Sequence, residues 1–380
     1  MRIALNAQLL STTPTYRSAG ISRVIYELLA HLRAASSPDQ RYVVYAPRSP
    51  DNRRFLRAAG LPSRLTALPT DRPPARIAWE QTVLPLELAR TRADLLHALG
   101  FVAPFAWRGP TVVTVYDLSF MRFPELFNRG NRLYLRTFTP PSLRRADRVI
   151  TISEHTKRDV VELCGVPPER VTPILLAADP RFRPAPPDEV AAFRARKGLP
   201  DRFILYLGTL EPRKNVETLV RAYAELRRRG ITDCDLVLAG ARGWQYEPVF
   251  QLVESLGLGA SVHFPGFVAD AEQALWYSGA VIFAYPSLYE GFGLPLLEAM
   301  ACGTPVVASR SSSLPEVVGE AGVLVNPSDS HELSAALYEL LVSDERRASL
   351  RSAGLARART FSWRRMANET VQVYREVLAR

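Results

Sequence analysis

Short apolar runs recur along the chain, separated by longer stretches whose apolar positions repeat every three or four residues. In the first 155 residues the runs are "RIALNAQ", "YVVYAP", "DLLHAL", "TVVTVYD" and "RVITIS". Each is followed by a loop and often by an amphipathic helical stretch. Strands that alternate with helices predict a parallel sheet covered by helices, and hence an α/β fold class. A second series, "FILYLGT", "DLVLAG", "VHFPGF", "VIFAYPS", "PVVAS" and "GVLVN", begins after the proline-rich "DPRFRPAPPDE" of 179–189. The stretch 179–200 therefore reads as an interdomain linker. Two doubly wound domains facing each other would form a cleft, with ligand outside the carboxyl ends of the strands. The expected division is 1–182 for the first domain and 183–361 for the second. In 361–380, Trp363, Met366, Val371, Tyr374 and Val377 fall at helical spacing, and 362–380 is expected to pack back on the first domain.

Composition narrows the class. The 380 residues are 47% apolar and 23% charged, a globular balance. Cys164, Cys234 and Cys302 form neither a CxxC pair nor a disulfide framework, which fits a reducing, cytoplasmic setting. His31, His97, His155, His263 and His331 lack metal-ligand spacing, so no metal site and no cofactor are expected. "MRIALNAQLLSTTP" has too short an apolar run for a signal peptide, and no segment approaches the roughly 20 apolar residues of a membrane span. The net charge is +10, nearly all from arginine, because Lys157, Lys197 and Lys214 are the only lysines. A basic balance suits nucleic acid, an anionic membrane or an anionic substrate. Aromatic and basic clusters of a recognised nucleic-acid-binding type are missing, so nucleic acid is set aside. Peripheral contact with an anionic inner membrane face, near a lipid-linked acceptor, rests only on charge.

Chemistry concentrates at turns that follow strands. "YEGFGLPLLEAMACG" is a glycine loop feeding a helix, with Pro295 in its first turn and Gly303 at its end. The N–H groups of such a terminus favour phosphate. Glu290 enters the loop and Glu298 lies about a turn into the helix, placed to accept from hydroxyls of two parts of one ligand. In "LYLGTLEPRKNVETLVRAY", Gly208 belongs to the turn that ends a strand, and Arg213 and Lys214 follow where they could neutralise a diphosphate. Gly20 precedes a helix soon after the first strand, although a plain loop glycine explains it about as well. Tyr116 and Asp117 end the strand of "VTVYDLSF"; Asp117 could hold a sugar hydroxyl, or simply cap the next turn. Ser153 reads as the N-cap of the helix after "TISEH".

These segments resemble the retaining glycosyltransferases of GT-B architecture, family 4 in particular. "EGFGLPLLE" carries the E-x7-E signature, and "GTLEPRKN", "AGISRVIYELL" and "LPEVVGEAGVLVNP" extend the resemblance over almost the whole chain. It implies two Rossmann-like domains and a nucleoside diphosphate sugar held mainly by the second. Arg213 and Lys214 would hold the diphosphate, Glu290 the donor sugar and Glu298 the ribose. The backbone of Phe292, Gly293 and Leu294 would meet sugar or phosphate. Gly20 and Ile21 would lie above the phosphate, and Phe267 and Val268 would wall the base. The family generally needs no catalytic metal. Many relatives have histidine where this chain has Tyr116, on the acceptor side, and a tyrosine is no neutral-pH base. The expected partners are a nucleotide-sugar donor and a glycan or lipid-linked acceptor, with mannose from GDP-mannose favoured through "GARGWQYE". A non-catalytic sugar-nucleotide binder of a glycan-assembly complex and a sugar-nucleotide epimerase are the alternatives.

Overall fold

The computed structural model describes residues 1–12, 20–126 and 129–379. The chain divides into two compact units, one of Met1–Leu176 with Ser362–Arg380 and one of Ala177–Phe361. The stretch expected to act as a linker holds a helix, Pro187–Lys197, whose Val190 and Phe193 are buried.

The first unit is built on a parallel seven-stranded sheet. Its strands are β1 (Arg2–Asn6), β2 (Arg41–Pro47), β3 (Ser63–Thr66), β4 (Leu95–Ala98), β5 (Thr111–Val115), β6 (Arg148–Thr151) and β7 (Val171–Pro173). Their order is β3-β2-β1-β4-β5-β6-β7. Five of the seven coincide with the apolar runs. The two others are the sheet's edges: β3 is half exposed, and β7 is a three-residue strand ending in proline. An edge strand is covered on fewer sides and needs no continuous apolar run. The second unit holds a parallel six-stranded sheet of β8 (Phe203–Leu207), β9 (Asp235–Ala239), β10 (Val262–Gly266), β11 (Ile282–Tyr285), β12 (Val306–Ser309) and β13 (Val323–Val325). The order is β10-β9-β8-β11-β12-β13, and all six match the expected runs.

In both sheets the strand order reverses beside the unit's first strand, between β1 and β4 and between β8 and β11. Loops leaving neighbouring strands diverge there, which opens a crevice at the carboxyl edge. β11 lies beside β8 with Phe283 opposite Leu205, so the loops after Leu207 and Tyr285 leave the sheet side by side.

The C-terminal helix Trp363–Leu378 belongs to the first unit, capped by Ser362, whose hydroxyl accepts from the Arg365 N–H. Trp363, Met366, Val371, Tyr374 and Val377 are buried, and the helix packs along helix Ile21–Ala35. One polar link lies beneath it. His97 of β4 has Nδ1 2.7 Å from the Tyr374 hydroxyl and Nε2 2.7 Å from Thr114 Oγ1. Burial pushes the imidazole down to about 3, so it is neutral and matches two hydroxyls with one donor and one acceptor. Tyr374→Phe removes one partner and strands a buried ring nitrogen. The expected loss is about 1–3 kcal/mol in urea unfolding; an unchanged midpoint and slope would show that the link adds nothing.

Candidate active site

The switch point between β8 and β11 gathers Glu211, Arg213, Lys214 and Glu290. β8 ends at Leu207, and the chain turns through Gly208 to a short 3-10 turn, Pro212–Lys214. That turn closes at Asn215, held in the left-handed region at φ 57°, a conformation asparagine tolerates better than most residues. Its side-chain amide donates to the carbonyls of Pro286 (3.1 Å) and Pro327 (2.7 Å). The Leu288 N–H donates to the Arg213 carbonyl at 2.9 Å. The loop after β8 is thus pinned to the loop after β11.

Pinning brings Glu290 onto both basic side chains. Lys214 Nζ lies 2.6 Å from Glu290 Oε1, and Arg213 Nη1 lies 3.2 Å from Glu290 Oε2. Arg213 also donates to the Tyr289 carbonyl at 2.6 Å and to Glu211 Oε1 at 2.7 Å. The Tyr285 hydroxyl donates to Glu290 Oε1 at 2.9 Å and accepts from Lys214 at 2.8 Å. The side chains of Lys214 and Glu290 are only 11% and 12% exposed, so solvent screens the pair weakly. Burial works to raise the Glu290 carboxyl, but Lys214 and then Arg213 outweigh it and hold it at about 2. The same burial, with Glu290 alongside, raises the Tyr285 phenol and keeps it a donor. Two cations therefore face two carboxylates, Glu290 and Glu211.

The glycine loop behaves as a helix entry. Gly293 sits at φ 117°, and a Cβ there would come within 2.8 Å of Leu314. Helix Leu294–Ala301 follows with proline in its first turn, and the Gly293 carbonyl accepts from the Leu296 and Leu297 N–H groups at 3.0 and 3.4 Å. Ser313 Oγ lies 2.8 Å from the Glu290 carbonyl and 2.7 Å from that of Phe292, donating to the loop from outside. Phe292 is buried against Phe361. Glu298, in the helix, accepts from the Tyr277 hydroxyl at 3.0 Å. Gly240 must be glycine beside Gly208: a Cβ on Gly240 would meet the Gly208 carbonyl oxygen at 1.9 Å, so the turns after β8 and β9 touch backbone to backbone. After β10, Val268 is buried and Phe267 is 64% exposed.

The remaining expected residues lie in the first unit. Gly20, at φ 57°, starts helix Ile21–Ala35, and Ile21 is its first residue; the 13–19 segment of that motif is outside the described residues. The Tyr116 hydroxyl is turned into the core and donates to the Leu99 carbonyl at 3.0 Å. Asp117 accepts from the Ser119 N–H and hydroxyl at 2.9 and 2.5 Å, which makes it the cap of the following turn. Ser153 caps helix Glu154–Cys164 as expected. Among the described residues no group of three or more His, Cys, Asp or Glu is placed to hold a metal ion, and no helix is long and apolar enough to cross a membrane. The site also uses residues to which the sequence reading gave no role: Glu211, Tyr285, Asn215 and Ser313. Only Asn215, following a basic pair and preceding a helix, left a turn signal.

Residues 18–182 match the family described as Glycosyltransferase Family 4 and residues 189–357 that described as Glycosyl transferases group 1. The O-antigen chain mannosyltransferase B of Escherichia coli is 36% identical over 303 residues, 80% of this chain and 77% of its own. A D-inositol 3-phosphate glycosyltransferase of Thermobispora bispora is 32% identical over 317 residues, covering 76% of this chain and 72% of its own. Among solved structures, sucrose-phosphate synthase from Thermosynechococcus elongatus superposes with a TM-score of 0.77 at 24% identity, covering 100% of this chain and 99% of its own. HepE of Anabaena, in complex with UDP and glucose, gives 0.75 at 21%, covering 99% of both chains. The fold is that of the two-domain GT-B glycosyltransferases. The chain belongs to the family 4-like glycosyltransferases.

Glu290 has a depressed folded-state value, so its contribution to stability is present above its unfolded value of about 4.5 and is lost as pH falls toward about 2. The stability difference between wild type and Glu290→Gln should be constant above pH 5 and shrink as pH drops through that window. A difference that grows on acidification would contradict the ion pair.

Proposed function

We propose that this glycosyltransferase moves a hexosyl unit, with mannose from GDP-mannose as the first candidate, from a nucleoside diphosphate sugar to a hydroxyl of a glycan or lipid-linked acceptor, with retention of configuration. The single observation that carries the reading is the convergence of Arg213, Lys214 and Glu290 at a strand-order reversal beside the helix entered through Gly293. The mannosyl preference draws support from the Escherichia coli relative, which carries that activity in its name.

In this reading the two cations stand where negative charge grows as the sugar–phosphate bond breaks. A preorganised charge there acts most strongly because little reorganisation is needed during the reaction. Glu290 holds the cations in register before the donor arrives. A diphosphate then takes over Arg213 and Lys214, and the carboxylate turns to sugar hydroxyls, which it can only accept from. Glu298 would receive ribose hydroxyls in place of the Tyr277 phenol. The acceptor oxygen attacks the anomeric carbon on the face the diphosphate leaves, and its proton passes to the departing phosphate oxygen. Tyr116 is not asked to act as a base, which agrees with its hydroxyl being engaged by Leu99.

The test is Lys214→Ala. Turnover with the best donor should fall by about 10²–10³, the range seen on removing one oxyanion-type donor, while thermal melting without ligand verifies that the fold survives. Transfer at the wild-type rate would refute the role. A melting screen against GDP, UDP, ADP and their sugars should single out one base by a shift that grows with concentration.

A further inference from the structure

The ion-paired cluster of the second unit rests on a group that comes from a strand rather than a loop. Tyr285 ends β11 and is fully buried. Phe283 lies two residues earlier, so both rings leave the same face of the sheet, with centroids 5.7 Å apart and planes 23° from parallel. Tyr206, on the neighbouring β8, stacks with Tyr285 at 6.2 Å and 18°. Rings carried by two paired strands fix the phenol, and with it the place of its oxygen. Tyr206 spends its own hydroxyl on the Thr209 carbonyl, at 3.0 Å. The Tyr285 hydroxyl instead accepts from Lys214 Nζ at 2.8 Å and donates to Glu290 Oε1 at 2.9 Å, while Nζ and Oε1 are 2.6 Å apart. A phenylalanine would fill the ring stack equally well, so packing does not account for this oxygen.

We propose that Tyr285 is the positioning residue of the transfer step: its hydroxyl holds the Lys214 ammonium on the departing diphosphate once Glu290 has turned to the sugar. The inference rests on the transferase reading above and assigns the part of it that stays still. Lys214 and Glu290 sit on loops, and lysine is a flexible side chain that regains rotamer freedom when its carboxylate partner leaves. The hydroxyl does not leave, because a buried strand carries it. Its chemistry also suits the role. A hydroxyl accepts one ammonium proton without neutralising the charge, which leaves the other two for phosphate oxygens. A carboxylate in the same place would compete with the phosphate for the cation.

The surroundings set the protonation of both groups. Burial, and after it the Glu290 charge, raises the Tyr285 phenol well above its ordinary value, so it stays a neutral O–H. Burial lowers Lys214 and Arg213 adds to this, while Glu290 and Glu211 oppose it. The groups facing the ammonium and its partners are thus Glu290 and Tyr285 from β11 and its loop, and Arg213, Glu211 and Tyr206 from β8 and its loop. A hydrogen bond accepted from an ammonium favours its charged form. Without the Tyr285 hydroxyl, Lys214 therefore gives up its proton at a lower pH.

The experiment uses the full chain with Tyr285→Phe, Lys214→Ala and the double variant, and Tyr223→Phe as a control. Tyr223 is a fully buried phenol of the same unit whose hydroxyl donates to the Cys234 carbonyl at 3.0 Å, so its variant reports the loss of such a bond away from the cluster. Tyr285→Phe keeps the ring stack, and thermal melting without ligand verifies the fold. It should lower kcat with the best donor about 10- to 100-fold, the range for one hydrogen bond to a charged group, with acceptor KM within about twofold. The alkaline limb of kcat/KM for the donor, which reports the free enzyme, should move to lower pH. Tyr223→Phe should leave both kcat and that limb at wild type. Added to Lys214→Ala, Tyr285→Phe should cost less than about twofold, because the hydroxyl acts through the ammonium. Calorimetry gives a readout that needs no turnover: the wild-type preference for nucleoside diphosphate over monophosphate should shrink in Tyr285→Phe, with monophosphate affinity kept. An equal loss in the Lys214→Ala background, or in Tyr223→Phe, would overturn the proposal. If wild type transfers no sugar but Tyr285→Phe still loses diphosphate preference, Tyr285 positions Lys214 and the transferase reading fails. If wild type transfers sugar and Tyr285→Phe matches it in kcat, pH profile and diphosphate preference, the transferase reading stands and this inference fails.

Discussion

A carboxylate clamped between two cations at the edge of a parallel sheet organises the second unit. Glu290 touches both Lys214 and Arg213, and these residues come from loops that leave different strands. Neither loop can shift without breaking an ion pair that is nearly closed to solvent. Breaking such a pair by removing one partner costs about 3–5 kcal/mol, because a buried charge is left alone. Asn215 and the Leu288–Arg213 backbone bond reinforce the same junction with groups that carry no charge. The junction is therefore rigid before any ligand arrives, a condition for electrostatic stabilisation of a developing charge.

The clamp explains why the site sits where it does. In a doubly wound sheet only the reversal point lets adjacent loops diverge, and β8 and β11 are the neighbours across it. The glycine loop and the helix it feeds start at the same edge. Cations and a carboxylate are thus brought to one place by topology.

Much of this was legible in the sequence because local rules and fold agree. The four inner strands of the second sheet, β8, β9, β11 and β12, are almost fully buried runs bounded by turns, and Glu290, Arg213 and Lys214 stood out as polar residues soon after such runs. What was not legible depends on tertiary packing. β3 and β7 escaped because edge strands need no apolar run. Tyr116 sits at a strand end, where exposure is a fair expectation, but rotation of its ring onto the Leu99 carbonyl is set by Phe101 and its neighbours. Glu211 and Tyr285 acquire meaning only once the loops after β8 and β11 are side by side.

The central claim is that Arg213 and Lys214 exchange Glu290 for the terminal phosphate of a nucleotide. The most direct measurement is calorimetric titration of the wild-type chain with nucleoside diphosphates and with the corresponding monophosphates of guanosine, uridine and adenosine. For the preferred base the diphosphate should bind at least about tenfold more tightly, equivalent to about 1.4 kcal/mol, and Lys214→Ala should erase that advantage. Equal affinity for mono- and diphosphate in wild type would contradict the account.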